Sequence, residues 1–136
     1  MTDTQTNNRR YNKILVIDDS RSVRSQMKEL ASSSGYEILE AANGNEGLEI
    51  LRNNDDIALV FCDVNMPELD GISMLYKISS EKALGEGKQH PPIIIITTES
   101  GIQMAQTAKN SGAKGWIIKP VSQETFDVMV KKVART

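Results

Sequence analysis

The sequence predicts an α/β domain built on a doubly wound, five-stranded parallel sheet with five helices. Three observations carry that expectation. Five short, largely apolar runs of strand length recur at Ile14–Ile17, Tyr36–Glu40, Ile57–Cys62, Ile93–Ile96 and Gly115–Ile118. Stretches with helical spacing separate them, and each crossover helix must pack back onto the sheet it left. The four most apolar runs are continuous rather than alternating, as strands covered on both faces should be.

Each helix has its own signal. Val23, Met27, Leu30 and Ala31 follow i, i+4, i+7, i+8 spacing, and Gly35 is placed to close that first helix. Gly47, Leu48 and Leu51 mark a second, with Asn43 and Glu46 as a capping pair at its start. Ile72, Leu75 and Tyr76 mark a third, followed by the loop Gly85 to Pro92. A fourth begins at Ser100 with Gln103 as capping partner; its apolar face, chiefly Ile102, Ala105 and Ala108, is thin, so it should be weakly held. The fifth starts near Ser122 and carries the stripe Phe126, Met129, Val130, Val133. Residues 1–12 are polar and without periodicity, which predicts a flexible tail and leaves 13–136 as one domain.

Composition narrows the function. Sixteen basic against eighteen acidic residues give a net charge of -2, which offers no bulk attraction to nucleic acid or to an anionic membrane. No apolar run approaches the roughly 20 residues of a membrane-spanning helix. One cysteine, Cys62, precludes an intrachain disulfide, and the polar start lacks the apolar centre of a signal peptide; a cytoplasmic protein is expected.

In an open α/β sheet, ligands bind beyond the carboxyl ends of the strands. There the first run ends in Asp18 and Asp19, the third in Asp63, the fourth in Thr97 and Thr98, and the fifth in Lys119. Any of these alone has an ordinary explanation: Asp at a strand end is most often a turn former or helix cap, and Lys before Pro is usually solvated. Their convergence at one edge is what carries weight. Clustered carboxylates repel unless a cation compensates them, and Mg²⁺ takes a few carboxylate and carbonyl oxygens while leaving room for phosphoryl oxygens. A nucleophilic carboxylate, a hard metal, a hydroxyl and an ammonium are the parts that phosphoryl transfer to an aspartate requires.

These residues stand in motifs. Asp18-Asp19, then Asp63-Val64-Asn65-Met66-Pro67 with Asp70-Gly71, then Thr97-Thr98-Glu99, then Gly112-Ala113-Lys114-Gly115-Trp116-Ile117-Ile118-Lys119-Pro120 resemble the receiver domain of bacterial two-component response regulators, in its single-domain, chemotaxis-type (CheY-like) form. The likeness runs over about residues 13 to 135. It implies a flavodoxin-like sheet in the order 2-1-3-4-5. It implies that Asp63 accepts a phosphoryl group from a histidine kinase or phosphotransfer protein. Asp19, Asp63 and the Asn65 carbonyl would hold Mg²⁺ directly, with Asp18 acting mainly through water. Thr97 would donate to a phosphoryl oxygen, Lys119 would pair with its charge, and the Lys119-Pro120 bond would be cis. Asn65 and Glu99 resemble the pair of the chemotaxis regulator that acts on flagellar motors; such positions flank the attacking water's path, which implies the fast-relaxing end of the family, with chemotaxis or motility as the expected output.

Two features depart from the family pattern. Trp116 stands where a Tyr or Phe usually turns inward on activation, and an indole is larger and needs a partner for its N–H. The loop Gly85 to Pro92 is longer than usual and carries the sole histidine, His90, read as solvated. Cys62 lies inside an apolar run and reads as core. The chain ends just after the fifth helix, so output is expected through protein binding, by a monomer, across the fourth helix, fifth strand and fifth helix, including Gln103, Gln106, Lys109 and Lys114. No catalysis beyond its own phosphorylation and dephosphorylation is expected. The alternative is a haloacid-dehalogenase-like phosphohydrolase, whose nucleophile would instead end the first strand in an Asp-x-Asp pattern. A flavodoxin-like carrier fits less well, since Asp18-Asp19-Ser20 would repel a flavin phosphate.

Overall fold

The strands are β1 (Lys13–Ile17), β2 (Glu37–Ala41), β3 (Ile57–Asp63), β4 (Ile93–Thr97) and β5 (Gly115–Ile118), all parallel and ordered β2-β1-β3-β4-β5. The structure is a computed structural model that describes residues 10–64, 89–98, 106, 109–110 and 112–136. Within those residues the helices are α1 (Arg21–Leu30), α2 (Gly44–Asn53) and α3 (Gln123–Val133), the last being the fifth helix of the sequence reading. Gln106, Lys109 and Asn110 are helical as well, while the third helix and most of the fourth lie outside the described residues. None of the described helices is long and apolar enough to cross a membrane.

Strand alternation builds two cores. Leu15, Ile17, Val60, Cys62, Ile93 and Ile95 pack to one side with Leu48 and Leu51 of α2. Ile14, Val16, Leu59, Phe61, Ile94 and Ile96 pack to the other with Met27 and Ala31 of the α1 end and Phe126 of α3. β3 and β4 are buried along their whole lengths, which explains why their sequences show no polar alternation.

The helix starts follow from side-chain caps. Ser20 caps α1 by accepting from Val23 N at 3.3 Å, Asn43 caps α2 by accepting from Glu46 N at 2.9 Å, and Ser122 caps α3 by accepting from Thr125 N at 3.1 Å. Glu46 completes a reciprocal box by accepting from Ala42 N at 3.1 Å, one residue earlier than the usual target. The expected role of Gly35 is corrected: α1 ends at Leu30 with Ala31 as its C-cap, and a further turn, with Ser34 N donating to Ala31 O at 2.9 Å, separates it from Gly35. Gly35, at φ 84°, instead reverses the chain into β2, in a conformation a Cβ would disfavour.

Backbone hydrogen bonds also involve Asn12, just before β1. Asn12 N donates to Asp56 O at 2.9 Å and Asn12 O accepts from Glu37 N at 3.1 Å, tying the stretch before β1 to its two neighbouring strands. Arg135 stacks its guanidinium on the Tyr11 ring at 4.1 Å, and its Nε donates to Ile57 O at 2.9 Å. Burial pushes this guanidinium's pKa down from its ordinary value. Tyr11 and Arg135 thus meet near the start of β3.

Candidate functional site at the carboxyl edge of the sheet

β1 and β3 are neighbours, and the register that pairs Ile17 with Cys62 carries their next residues, Asp18 and Asp63, to adjacent positions at the carboxyl edge. Asp18, Asp63 and Thr97 are buried although polar, whereas Asp19 is exposed. One carboxylate oxygen from each of Asp18, Asp19 and Asp63 lies within 4.8 Å of the others. Lys119, just past β5, reaches this cluster from the far side. Its Nζ stands 2.6 Å from Asp18 Oδ2 and 3.5 Å from Asp63 Oδ1.

Backbone bonds hold these groups in place. Lys119 N donates to Thr97 O at 2.7 Å, which extends the β4–β5 pairing past its end and sets the start of the Lys119 side chain beside Thr97. The Lys119-Pro120 bond is cis, as the resemblance implied. Asp18 N donates to Ala41 O at 3.0 Å, and Asp18 Oδ1 accepts from Ser20 N at 2.8 Å, so the side chain caps the turn that opens α1. Asp18 therefore fills the turn-former role that a strand-end Asp usually has and also belongs to the cluster.

Charge and satisfaction bear on a metal. Among the described residues, the three carboxylates lie together and the Lys119 ammonium stands against two of them. Asp18 Oδ2 is buried and, among the described residues, accepts no hydrogen bond of good geometry, so the Lys119 ammonium is its compensation. An all-oxygen donor set of clustered carboxylates fits a hard divalent cation such as Mg²⁺. Because both Asp18 oxygens are already engaged, by Ser20 N and by Lys119, the exposed Asp19 has the freer carboxylate.

The remaining expected residues divide. Asn65 and Glu99 lie outside the described residues, as do Gln103 and the Asp70-Gly71 motif. Trp116 is half-buried, pairs in register with Ile95 and packs against the α2-side core with Ala113. Gln106, Lys109 and Lys114 are exposed. Pro120 is exposed next to the cluster, and Cys62 is fully buried, as its reading as core requires. His90 is corrected from solvated to half-buried, with Nδ1 donating to Pro91 O at 2.8 Å. Sequence reasoning missed Ser20 and Arg24. A Ser before a helical stretch is a legible cap signal, but the Arg24 contacts join residues far apart in the chain. A separate cavity of about 440 Å³, lined by Tyr11, Tyr36, Phe126 and Arg135 among others, opens at the opposite edge of the sheet and contains none of these site residues.

Comparisons with known proteins agree with this geometry. The response regulator receiver domain family matches residues 14–131. Chemotaxis protein CheY1 of Helicobacter pylori is 37% identical over 125 residues, covering 91% of this chain and 98% of that protein. A CheY homologue of Campylobacter jejuni is 33% identical over 125 residues, covering 91% and 93%. The crystal structure of the chemotaxis protein CheY4 of Vibrio cholerae superposes with a TM-score of 0.78 at 30% identity, over 90% of this chain and 98% of that one. The phosphohydrolase alternative finds no support: the candidate nucleophile ends the third strand in chain order, not the first. With its sheet order, its clustered aspartates and Lys119 in the places the motifs implied, the chain belongs to the response regulator receiver domain family of two-component signalling.

Proposed function

We propose that the protein accepts a phosphoryl group on Asp63 from the phosphohistidine of a histidine kinase or phosphotransfer protein and signals by phosphorylation-dependent binding, with chemotaxis or motility as its output. The observation that carries this reading is Lys119 Nζ poised between the buried Asp18 and Asp63 carboxylates, at 2.6 and 3.5 Å. An Asp63 carboxylate oxygen would form the new O–P bond while the P–N bond of the donor breaks, and the imidazole nitrogen would leave with the bonding pair and take up a proton. Asp19, Asp63 and the Asn65 carbonyl would hold Mg²⁺, with Asp18 acting through water. When bound, the metal supplies charge neutralisation for the transferring oxygens.

The chain's own groups do the rest. Lys119 is nearer Asp18 than Asp63, so added charge on Asp63 would draw the ammonium across, and Thr97 would turn its hydroxyl towards a phosphoryl oxygen. Those two movements start at the ends of β4 and β5 and so disturb packing at Trp116, the register partner of Ile95. Glu99 and Asn65 would flank the path of the hydrolytic water. The partner would dock across the fourth helix, β5 and α3, where Gln106, Lys109 and Lys114 are exposed. Catalysis would be confined to the protein's own phosphorylation and its reversal. The chemotaxis output rests on the names of the Helicobacter and Campylobacter relatives.

Incubation with acetyl phosphate and Mg²⁺, followed by mass spectrometry, tests the reading. One phosphoryl group per chain is expected on Asp63, with no labelling without Mg²⁺. An Asp63→Asn chain that still took up the group would refute it.

A further inference from the structure

Arg24 lies in the first turns of α1 and has no part in the mechanism above, yet it touches the backbone of the site. Its Nη1 donates to the Asp18 carbonyl oxygen at 2.7 Å, and its Nε donates to Glu40 Oε1 on β2 at 3.2 Å. Its own backbone N donates to Ser20 O at 3.1 Å, so the residue is anchored by the helix at its base. One guanidinium therefore ties three segments together: α1, the loop after β1, and β2.

The Asp18 carbonyl belongs to the peptide unit that joins Asp18 to Asp19. On the Asp18 side this backbone is already held by the bond from Asp18 N to Ala41 O and by the Asx turn through Ser20 N. Fixing the carbonyl oxygen sets the plane of the peptide and with it the direction in which the Asp19 side chain leaves. Asp19 itself is exposed, so burial does not orient it. We infer that Arg24 is a positioning residue for the carboxylate cluster: its fork, aimed by Glu40, locks the Asp18–Asp19 peptide so that the Asp19 carboxylate faces Asp63.

Two effects of the guanidinium oppose each other. Its positive charge beside an acidic cluster disfavours a divalent cation, while its hold on the loop favours one. The charge term is reduced because Glu40 neutralises the guanidinium locally, and because Nη1 meets a carbonyl rather than a carboxylate. Positioning therefore prevails. Lysine could not substitute, since a point ammonium lacks the two separately directed N–H groups that reach Asp18 O and Glu40 together.

This inference rests on the reading of the cluster as a divalent-cation site, and the test separates the two. Mg²⁺ binding to the full chain is measured by isothermal titration calorimetry for the natural protein, Arg24→Met and Arg24→Lys, with thermal unfolding without metal as a check on folding. Loss of such an outer partner commonly weakens metal binding on the order of tenfold, and both variants are expected to show about that loss while keeping a cooperative transition. A merely structural Arg24 would lower thermal stability and leave Mg²⁺ affinity unchanged. An Arg24 acting through its charge would give tighter binding in Arg24→Met and unchanged binding in Arg24→Lys. Either result overturns the inference while leaving the site reading intact, and failure of the natural protein to bind Mg²⁺ overturns both. Should Arg24→Met not fold, Arg24→Lys alone decides, because it keeps the charge and removes the fork.

Discussion

Asp18 and Asp19 are neighbours of the same residue type with opposite surroundings, and that difference separates the roles proposed for them. Asp18 is buried with both oxygens engaged, by Ser20 N and Lys119 Nζ, whereas Asp19 is exposed. Asp19→Ala should therefore weaken Mg²⁺ binding more than Asp18→Ala, whereas Asp18→Ala should disturb folding more, because it leaves the Lys119 ammonium without its nearer partner. Calorimetric Mg²⁺ titration and urea unfolding of the two variants check both halves, and equal Mg²⁺ affinities would contradict the assignment. Lys119→Ala should still accept a phosphoryl group at Asp63 but lose its consequence, since the ammonium is the group that added charge attracts. The measurement is the fluorescence change of Trp116 on adding beryllofluoride to Mg²⁺-bound protein. An undiminished change in Lys119→Ala would remove Lys119 from the switch.

At the scale of elements, the helices were legible wherever a short-range signal set them. Caps at Asn43 and Ser122 and the stripe beginning at Phe126 are relations among residues three or four apart, and all are present in α2 and α3. Gly35 misled because a glycine after an apolar stripe signals a reversal without fixing its distance from the last helical turn, and a turn at Ser32–Ser34 fills the gap. The hold on α3 comes chiefly from Phe126, which is fully buried and stacks on Phe61 of β3 with ring centroids 5.6 Å apart. Phe126→Ala should cost about 3–5 kcal/mol, measured as a shift of the urea midpoint with little change in slope. A loss below about 1 kcal/mol would mean that the site collapses around the gap, contrary to the packing of two fully buried rings. At the other end of α3, Arg135 donates to Ile57 O and stacks on Tyr11, which closes the helix onto the start of β3.

For the whole molecule, the sheet is the route by which the proposed phosphorylation would reach a distant surface. Asp63 and Thr97 end adjacent strands, and Trp116 sits on the next one, paired with Ile95, so a change at the carboxyl edge has a short path to the β5 side. Beryllofluoride should therefore change Trp116 fluorescence beyond the effect of Mg²⁺ alone, with altered amide exchange over residues 100 to 119. If neither differs between the Mg²⁺-bound and beryllofluoride-bound forms, signal transfer along this route is wrong even with Asp63 phosphorylated. By itself the sequence determined the strand and helix periods, the parallel α/β class, and the chemical types that end the strands, because these are relations between near neighbours along one chain. The tertiary structure decided the rest. Lys119 meets Asp18 more closely than Asp63, Asp18 but not Asp19 is buried, and Arg24 spans from α1 to Glu40 of β2. Each of these depends on strand order and register, which bring residues distant in sequence within a few ångströms and which no local pattern encodes.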